Sequence, residues 1–279
     1  MTLLTDNLIV DGVRLAYRDR GQGEPVIFVH GTPSHSYEWR DVVPHIEAAG
    51  FRAVTYDLLG YGLSERPVDR DTSVAAQTDL LEHVLNALGI DHVSIVAHDI
   101  GGAIGQRFAL AHPERVRRLM IIDSVSYDSW PSSTWQKIIN ENLADFTSMP
   151  QDAFNALLTR QLTMTVADDT LMAGDVLQAY LEPHQSALGR VSFFEHQVRH
   201  YDSTYTEEIS DKLGHLTMPV RIVWGEDDQW QPLHYAKRLS NAIPNADLVV
   251  VPGAGHFVME DAPERVVHEI IDFLGTPPW

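Results

Sequence analysis

Apolar positions along this chain follow two alternating rhythms. Short runs rich in β-branched residues at 13–18, 26–30, 52–57, 93–97, 116–123, 220–224 and 248–251 predict strands, the run at 93–97 a buried one. Between them, amphipathic stretches at 36–49, 74–88, 100–111, 233–241 and 263–274 predict helices. Asp71, Thr72 and Ser73 are cap candidates for the second of these, Gly89 closes it, and Pro113 stops the third. Strands and helices in alternation predict an α/β fold, a mostly parallel twisted sheet with helices on both faces.

From about 126 to 212 the rhythm changes. No β-rich run occurs there, only helical stretches broken by Pro131, Pro150, Gly174, Pro183 and Gly189. The segment is rich in aromatics, among them Trp130, Trp135, Phe154, Tyr180, Phe193 and Phe194. The expectation is a core built from 1–125 and 213–279, with 126–212 inserted as a helical cap over the sheet edge.

Composition narrows the function classes. A chain of 279 residues, 44% hydrophobic and 21% charged, suits one large α/β domain with room for an insertion. The longest apolar runs are strand-sized, and residues 1–11 lack a basic segment followed by an apolar one. The expectation is therefore a cytoplasmic protein with no membrane partner. There is no cysteine, which removes disulfides, thiolate metal sites and a Cys nucleophile. A formal charge of −19 opposes nucleic-acid binding and mainly serves solubility. No cofactor motif and no interface signal are read.

Candidate chemistry concentrates at 93–102, where a strand runs straight into a helix through Asp99, with Ala97 two residues before and Gly101 two after. Small flanking residues permit a tight turn that pushes the central side chain outward. The helix starting at Ile100 points its N–H groups and positive dipole end at that carboxylate, keeping it ionised. Taken alone, Asp99 could equally be a helix N-cap. Two further segments argue for chemistry: Asp227 and Asp228 follow the strand at 220–224, and His256 lies in the glycine-flanked loop 252–257 after the last strand. Nucleophile, acid, histidine is the chain order of hydrolase triads built on such a turn. The turn at His30-Gly31-Thr32-Pro33 is placed to supply one oxyanion-hole N–H from Thr32, with Ile100 supplying the other. Pro33 fixes that loop through a trans or a cis bond. His196 and His200, four apart, would share a helix face, but the intervening residues lack the Glu of a zinc motif and no third ligand is evident, so no metal is expected.

The stretches HGTPSHSYEWR (30–40), YDLLGYGLSERP (56–67), AHDIGG (97–102), WGEDDQWQP (224–232) and PGAGHFVMEDAPE (252–264) resemble the α/β-hydrolase superfamily, specifically its aspartate-nucleophile branch of epoxide hydrolases and haloalkane or haloacetate dehalogenases. The resemblance implies that Asp99 attacks an alkyl carbon to form a covalent ester and that His256 activates the water that hydrolyses it. It puts the acid at Asp228, with Asp123 the second choice because some relatives carry it there. Haloalkane dehalogenases have a Trp after the nucleophile, haloacetate dehalogenases an Arg, and this chain Ile100. Many haloalkane dehalogenases also have Asn where Thr32 stands. Both halide devices are thus missing, although Trp130, Trp135 or Trp230 could replace one. Epoxide opening needs a proton donor, and relatives use cap tyrosines, for which Tyr127, Tyr180, Tyr201 and Tyr205 are candidates. The expected substrate is a small, apolar electrophile, attacked with water as co-substrate, in a pocket with few polar anchors. Its wall is expected to include His30, His98, Trp230, Tyr127, Tyr201 and Tyr205. Epoxide hydrolysis is the preferred activity. The alternatives are dehalogenation, esterase, lactonase or C–C hydrolase chemistry on the same fold, and a non-catalytic binding protein.

Overall fold

The computed structural model describes residues 4–244 and 246–275, without the side chains of 141 and 142. The outermost ends of the predicted core segments, and the start of the stretch 1–11, lie outside the described residues. In chain order the elements are β1 (Asp6–Val10), β2 (Val13–Arg20), β3 (Pro25–Val29), α1 (Val43–Ala48), β4 (Arg52–Tyr56), α2 (Val74–Ala87), β5 (Val93–His98), α3 (Ile100–Ala111) and β6 (Val116–Ile122). Then come α4 (Ser133–Thr147), α5 (Gln151–Thr163), α6 (Gly174–Leu181), α7 (Ala187–Ser192) and α8 (Thr204–Ser210). The chain ends with β7 (Val220–Gly225), α9 (His234–Ala242), β8 (Ala246–Val251), α10 (Val258–Asp261) and α11 (Pro263–Gly275).

The eight strands form one sheet in the order β1-β2-β4-β3-β5-β6-β7-β8. All neighbours are parallel except β1 with β2 and β2 with β4. This is the α/β-hydrolase fold. Every residue of the central β5 is buried, as its uninterrupted apolar run requires. Register places Val29 of β3 beside Ala97, and Ile122 of β6 beside His98. The loops after β3, β5 and β6 therefore leave one sheet edge side by side, at the carboxyl ends of the strands, where ligands bind in open α/β sheets.

Two local features depart from the sequence expectation. The helix predicted over 36–49 is a 3-10 turn, Ser36–Trp39, followed by the short α1. Pro44 explains the break, since proline fits the first turn of a helix but not its middle. The unpredicted β1 pairs with β2 through Asp11 and Gly12, both at positive φ, 48° and 75°. Asp-Gly between apolar alternations is the sequence signal for this hairpin.

Helices α4 to α8 occupy the stretch between β6 and β7. Phe154, Phe193 and Phe194 meet edge to face at 5.1–5.7 Å and form the apolar centre of this layer. Buried polar bonds tie the layer to the sheet domain. Tyr180 of α6 donates to Glu260 of α10, whose carboxylate takes both arms of Arg40 at 2.5 and 2.6 Å. No helix among the described residues is long and apolar enough to cross a membrane.

Candidate active site

Asp99 sits between β5 and α3 with φ 52° and ψ −118°, a conformation costing an L-residue about 1–3 kcal/mol. Its own backbone holds it there. Its N–H donates to Ile122, and its carbonyl accepts from Gly102 and Val125 at 3.0 and 3.2 Å. The small neighbours are a steric requirement. A Cβ on Gly31 would stand 2.6 Å from the Asp99 Cβ, and one on Gly101 would stand 2.4 Å from the Val29 carbonyl oxygen. The turn thus aims the carboxyl group off the sheet edge.

Three other segments converge on that group. The Thr32 N–H donates to Asp99 Oδ1 at 2.8 Å, from a loop whose Thr32–Pro33 bond is cis. His256 Nε2 lies 3.4 Å from Asp99 Oδ2, and its Nδ1 lies 2.8 Å from Asp228 Oδ2. Asp228 is fixed in turn by the Trp230 and Gln231 N–H groups on its Oδ1, at 2.7 and 2.9 Å. Burial alone would lower the His256 pKa, but the charges and hydrogen bonds of Asp228 and Asp99 outweigh it and hold the imidazole well above its usual value. Burial likewise would raise Asp99, but His256, His98 and the Thr32 N–H hold its carboxyl below the usual range. The pair therefore rests as carboxylate and imidazolium.

Asp123, the second choice for the acid, does not bond to His256. It accepts from the Gly225 N–H at 2.8 Å, and its other oxygen is buried without a hydrogen-bond partner. Burial, then the adjacent Asp228 carboxylate, push its carboxyl well above the usual range. Two carboxyls in one dry site cannot both ionise, so Asp123 keeps the proton.

Above Asp99 lies a pocket enclosing about 560 Å³ of empty space, part of it open to solvent. Thr32, Asp99 and His256 form its floor; Trp130, Ser132, Trp135, Gln161, Tyr201, Trp230 and Gln231 are among its walls. The Tyr201 hydroxyl lies 2.6 Å from Thr32 Oγ1. Burial, Tyr61 and the Asp99 charge push that phenol well above its usual pKa, against the opposing hydrogen bond to Thr32. Ile100 forms no hydrogen bond to Asp99 in this geometry, although it opens α3.

Several expected pocket residues lie elsewhere. His30 is fully buried beneath the pocket, its Nε2 accepting from the Leu58 N–H. His98 is also fully buried, its ring nitrogens facing Glu38 and the His256 carbonyl, so it braces the histidine loop rather than the cavity. Tyr127 stacks on Tyr235 beneath Arg238, and Tyr205 packs beside Arg107; neither lines the pocket. Tyr180 is committed to Glu260, and the Trp130 indole N–H to Thr206. The expected helical face of His196 and His200 does not form, because a π turn, Phe193–Gln197, gives way there to a 3-10 turn. His196 bonds Ser192 and the Pro67 carbonyl, while His200 faces Asp71.

The pocket also has more polar groups than expected. Gln161, Gln231 and Ser132 were not anticipated. Gln161 had a legible signal, since it breaks the buried stripe Phe154, Leu158, Leu162 of α5.

The chain belongs to the alpha/beta hydrolase fold family, whose sequence profile matches residues 24–263. It is a hydrolase of that fold. It is 29% identical over 95% of its length to a cis-3-alkyl-4-alkyloxetan-2-one decarboxylase of Shewanella oneidensis, covering 86% of that protein. It is 28% identical to haloalkane dehalogenase 2 of Mycobacterium tuberculosis, covering 94% of this chain and 92% of that one. Among solved structures, an alpha/beta hydrolase fold protein from Burkholderia ambifaria superposes with a TM-score of 0.91 at 34% identity, over 98% of both chains.

Proposed function

We propose that this hydrolase opens small epoxides through a covalent ester on Asp99. The observation that carries the reading is Tyr201, a phenol in the same cavity as the elbow carboxylate, 2.6 Å from the Thr32 side chain whose N–H holds that carboxylate. A departing alkoxide needs a proton and a departing halide does not. In the first step Asp99 Oδ2 attacks a ring carbon, the C–O bond breaks, and the alkoxide takes the Tyr201 proton. The His256 imidazolium restores that proton and becomes neutral. In the second step His256 deprotonates a water that attacks the ester carbonyl, and the Thr32 N–H, joined by that of Ile100, stabilises the oxyanion at Oδ1. On collapse the bond to the substrate oxygen breaks, the departing alkoxide takes the proton of the newly added hydroxyl, and the diol leaves a carboxylate that carries a solvent oxygen beside the imidazolium. Asp228 orients His256, helices α4 to α8 cap the pocket, and no metal or cofactor enters the scheme.

One observation favours dehalogenation as a second reading. The Trp230 indole N–H lines the pocket and is buried without a partner, as a halide donor would be. The relatives named above act, by their names, on a cis-3-alkyl-4-alkyloxetan-2-one and on haloalkanes.

Intact-protein mass spectrometry of His256→Ala, incubated with epoxides and haloalkanes, tests both. An adduct on Asp99 equal to the whole epoxide mass supports the proposal. An adduct lacking HX, formed with haloalkanes alone, replaces it with dehalogenation. No adduct with any electrophile defeats alkyl-enzyme chemistry and leaves acyl substrates or a binding role.

A further inference from the structure

Four side chains from three separate segments line the Asp99 pocket, and each has a buried polar atom without a hydrogen-bond partner. They are Ser132 Oγ ahead of α4, Gln161 Oε1 in α5, and Trp230 Nε1 and Gln231 Oε1 after β7. Unpaired buried polar groups are costly, and each one asks for an explanation. Local structure offers none. Ser132 holds the N-cap position of α4 yet makes no cap bond. Gln161 stands in an otherwise apolar helix stripe, where leucine would pack without an orphan. Gln231 is 4% exposed and Gln161 8%, so bulk water does not satisfy them.

We infer that the substrate carries, beside its electrophilic carbon, a neutral substituent that both donates and accepts hydrogen bonds, of the primary carboxamide class. Among the described residues, no lysine or arginine lines the pocket, which removes the usual partner of a carboxylate, and the chain's charge of −19 repels one further. A glutamine amide presents an oxygen and an NH2 group whichever way it is turned, and a carboxamide complements it in two parallel bonds. The substituent rests on the Asp99 alkylation reading for its reactive end, but the binding preference stands on the four orphaned groups alone.

The test compares 2,3-epoxypropanamide with 1,2-epoxybutane, which have similar size and different polarity. Sites that hydrogen-bond a substrate group reject the analogue lacking it, so kcat/KM for the amide should exceed that for the alkyl epoxide by about 10- to 100-fold. Gln161→Leu and Gln231→Leu should each compress that ratio several-fold. A wild-type ratio near one, or in favour of 1,2-epoxybutane, overturns the inference even if no variant folds. If neither epoxide labels Asp99 in His256→Ala, the epoxide reading fails by itself. Calorimetry with unreactive butanamide against 2-pentanone then decides the preference: tighter amide binding, lost in Gln161→Leu, sustains it, and equal binding removes it.

Discussion

Asp228→Asn and Asp123→Asn should behave as opposites, though the two carboxyls lie in one buried cluster. Asp228 carries the charge that faces His256 at 2.8 Å. At an effective dielectric of about 20, that separation gives roughly 6 kcal/mol of attraction, and spreading of both charges reduces it to about 4. At 1.36 kcal/mol per decade, full loss would slow the His256-dependent hydrolysis of the ester about 10³-fold. The variant does not lose everything. With Asp228 neutral, burial still favours the protonated form of Asp123 but the second cause, the Asp228 charge, is gone, so Asp123 ionises in part as a substitute. The expected slowing is therefore about 10²-fold in ester decay, with a smaller effect on ester formation. Asp123→Asn replaces a protonated acid by its neutral isostere and should change either step by no more than about threefold. The double variant, with no substitute available, should fall below Asp228→Asn alone. Rapid-quench intact mass spectrometry, following adduct growth and decay in a single turnover, separates the two steps. If Asp123→Asn slows decay as severely as Asp228→Asn, Asp123 is ionised in the resting enzyme and the reasoning fails.

Three further outcomes follow from the same geometry. Ester formation from an epoxide consumes the proton held by His256, whose pKa stands well above its usual value, so its rate should be flat through neutral pH and fall tenfold per unit above that raised pKa. Stopped-flow alkylation across pH reads this, and a rate that rises into alkali would show that no imidazolium proton is used. His184 lies between Phe154 and Phe193, and burial, helped by the charges of His35 and Arg66, pulls its pKa down to about 3. The unfolded chain protonates this ring below about 6.5 and the folded one does not, so stability present above 6.5 is lost as pH falls toward 3, by on the order of 4 kcal/mol. Urea titrations of His184→Phe between pH 6.5 and 4 should show a shallower acid decline than the wild type, and parallel curves would refute the assignment. Glu260→Gln leaves the Arg40 guanidinium, 20% exposed, without its buried partner, and should cost about 3–5 kcal/mol. Scanning calorimetry should register this as a drop of about 6–15 °C, and a change under 2 °C would mean that the Arg40–Glu260–Tyr180 link contributes little.

What could be read in advance was what local chemistry determines. The elbow at Asp99 announces itself because a strand, a strained turn and a helix must follow one another within ten residues, and only small neighbours allow it. The mostly parallel sheet follows from the same alternation of periods, whereas the exchange of β3 and β4 in its order does not. The pocket wall was legible only in part: Tyr201, Trp230, Trp130 and Trp135 stand in it as expected, but Ser132, Gln161 and Gln231 do not show in advance, because no periodicity encodes which helix face meets which loop. His30 and His98 show the corresponding error. His98 adjoins Asp99 and His30 lies two residues before Thr32, yet both rings are fully buried and held by Glu38, the His256 carbonyl and the Leu58 N–H. Tyr201 and Tyr205, four residues apart, were equivalent on paper; the 3-10 turn before Tyr201 and the start of α8 at Thr204 send one into the cavity and the other to Arg107.

A buried cluster of Asp99, Asp228, Asp123 and His256 is tolerable only if its net charge stays small, and the resting arrangement meets that condition with two carboxylates, one imidazolium and one protonated acid. In the proposed cycle, alkylation turns Asp99 into a neutral ester and so removes one of the two charges that raise the His256 pKa. The ring that supplied a proton to the first step thereby has a lowered pKa and stays neutral, free to take the proton of the water in the second. Hydrolysis restores the Asp99 charge and, with it, the imidazolium. The two half-reactions thus reset one another without a net proton from solvent, as the overall balance of epoxide plus water to diol requires. A halide substrate breaks this symmetry, because its leaving group takes no proton and one must be discharged to solvent in every cycle. Steady-state turnover in unbuffered solution distinguishes the cycles directly: acid accumulates in step with product for a haloalkane and not for an epoxide.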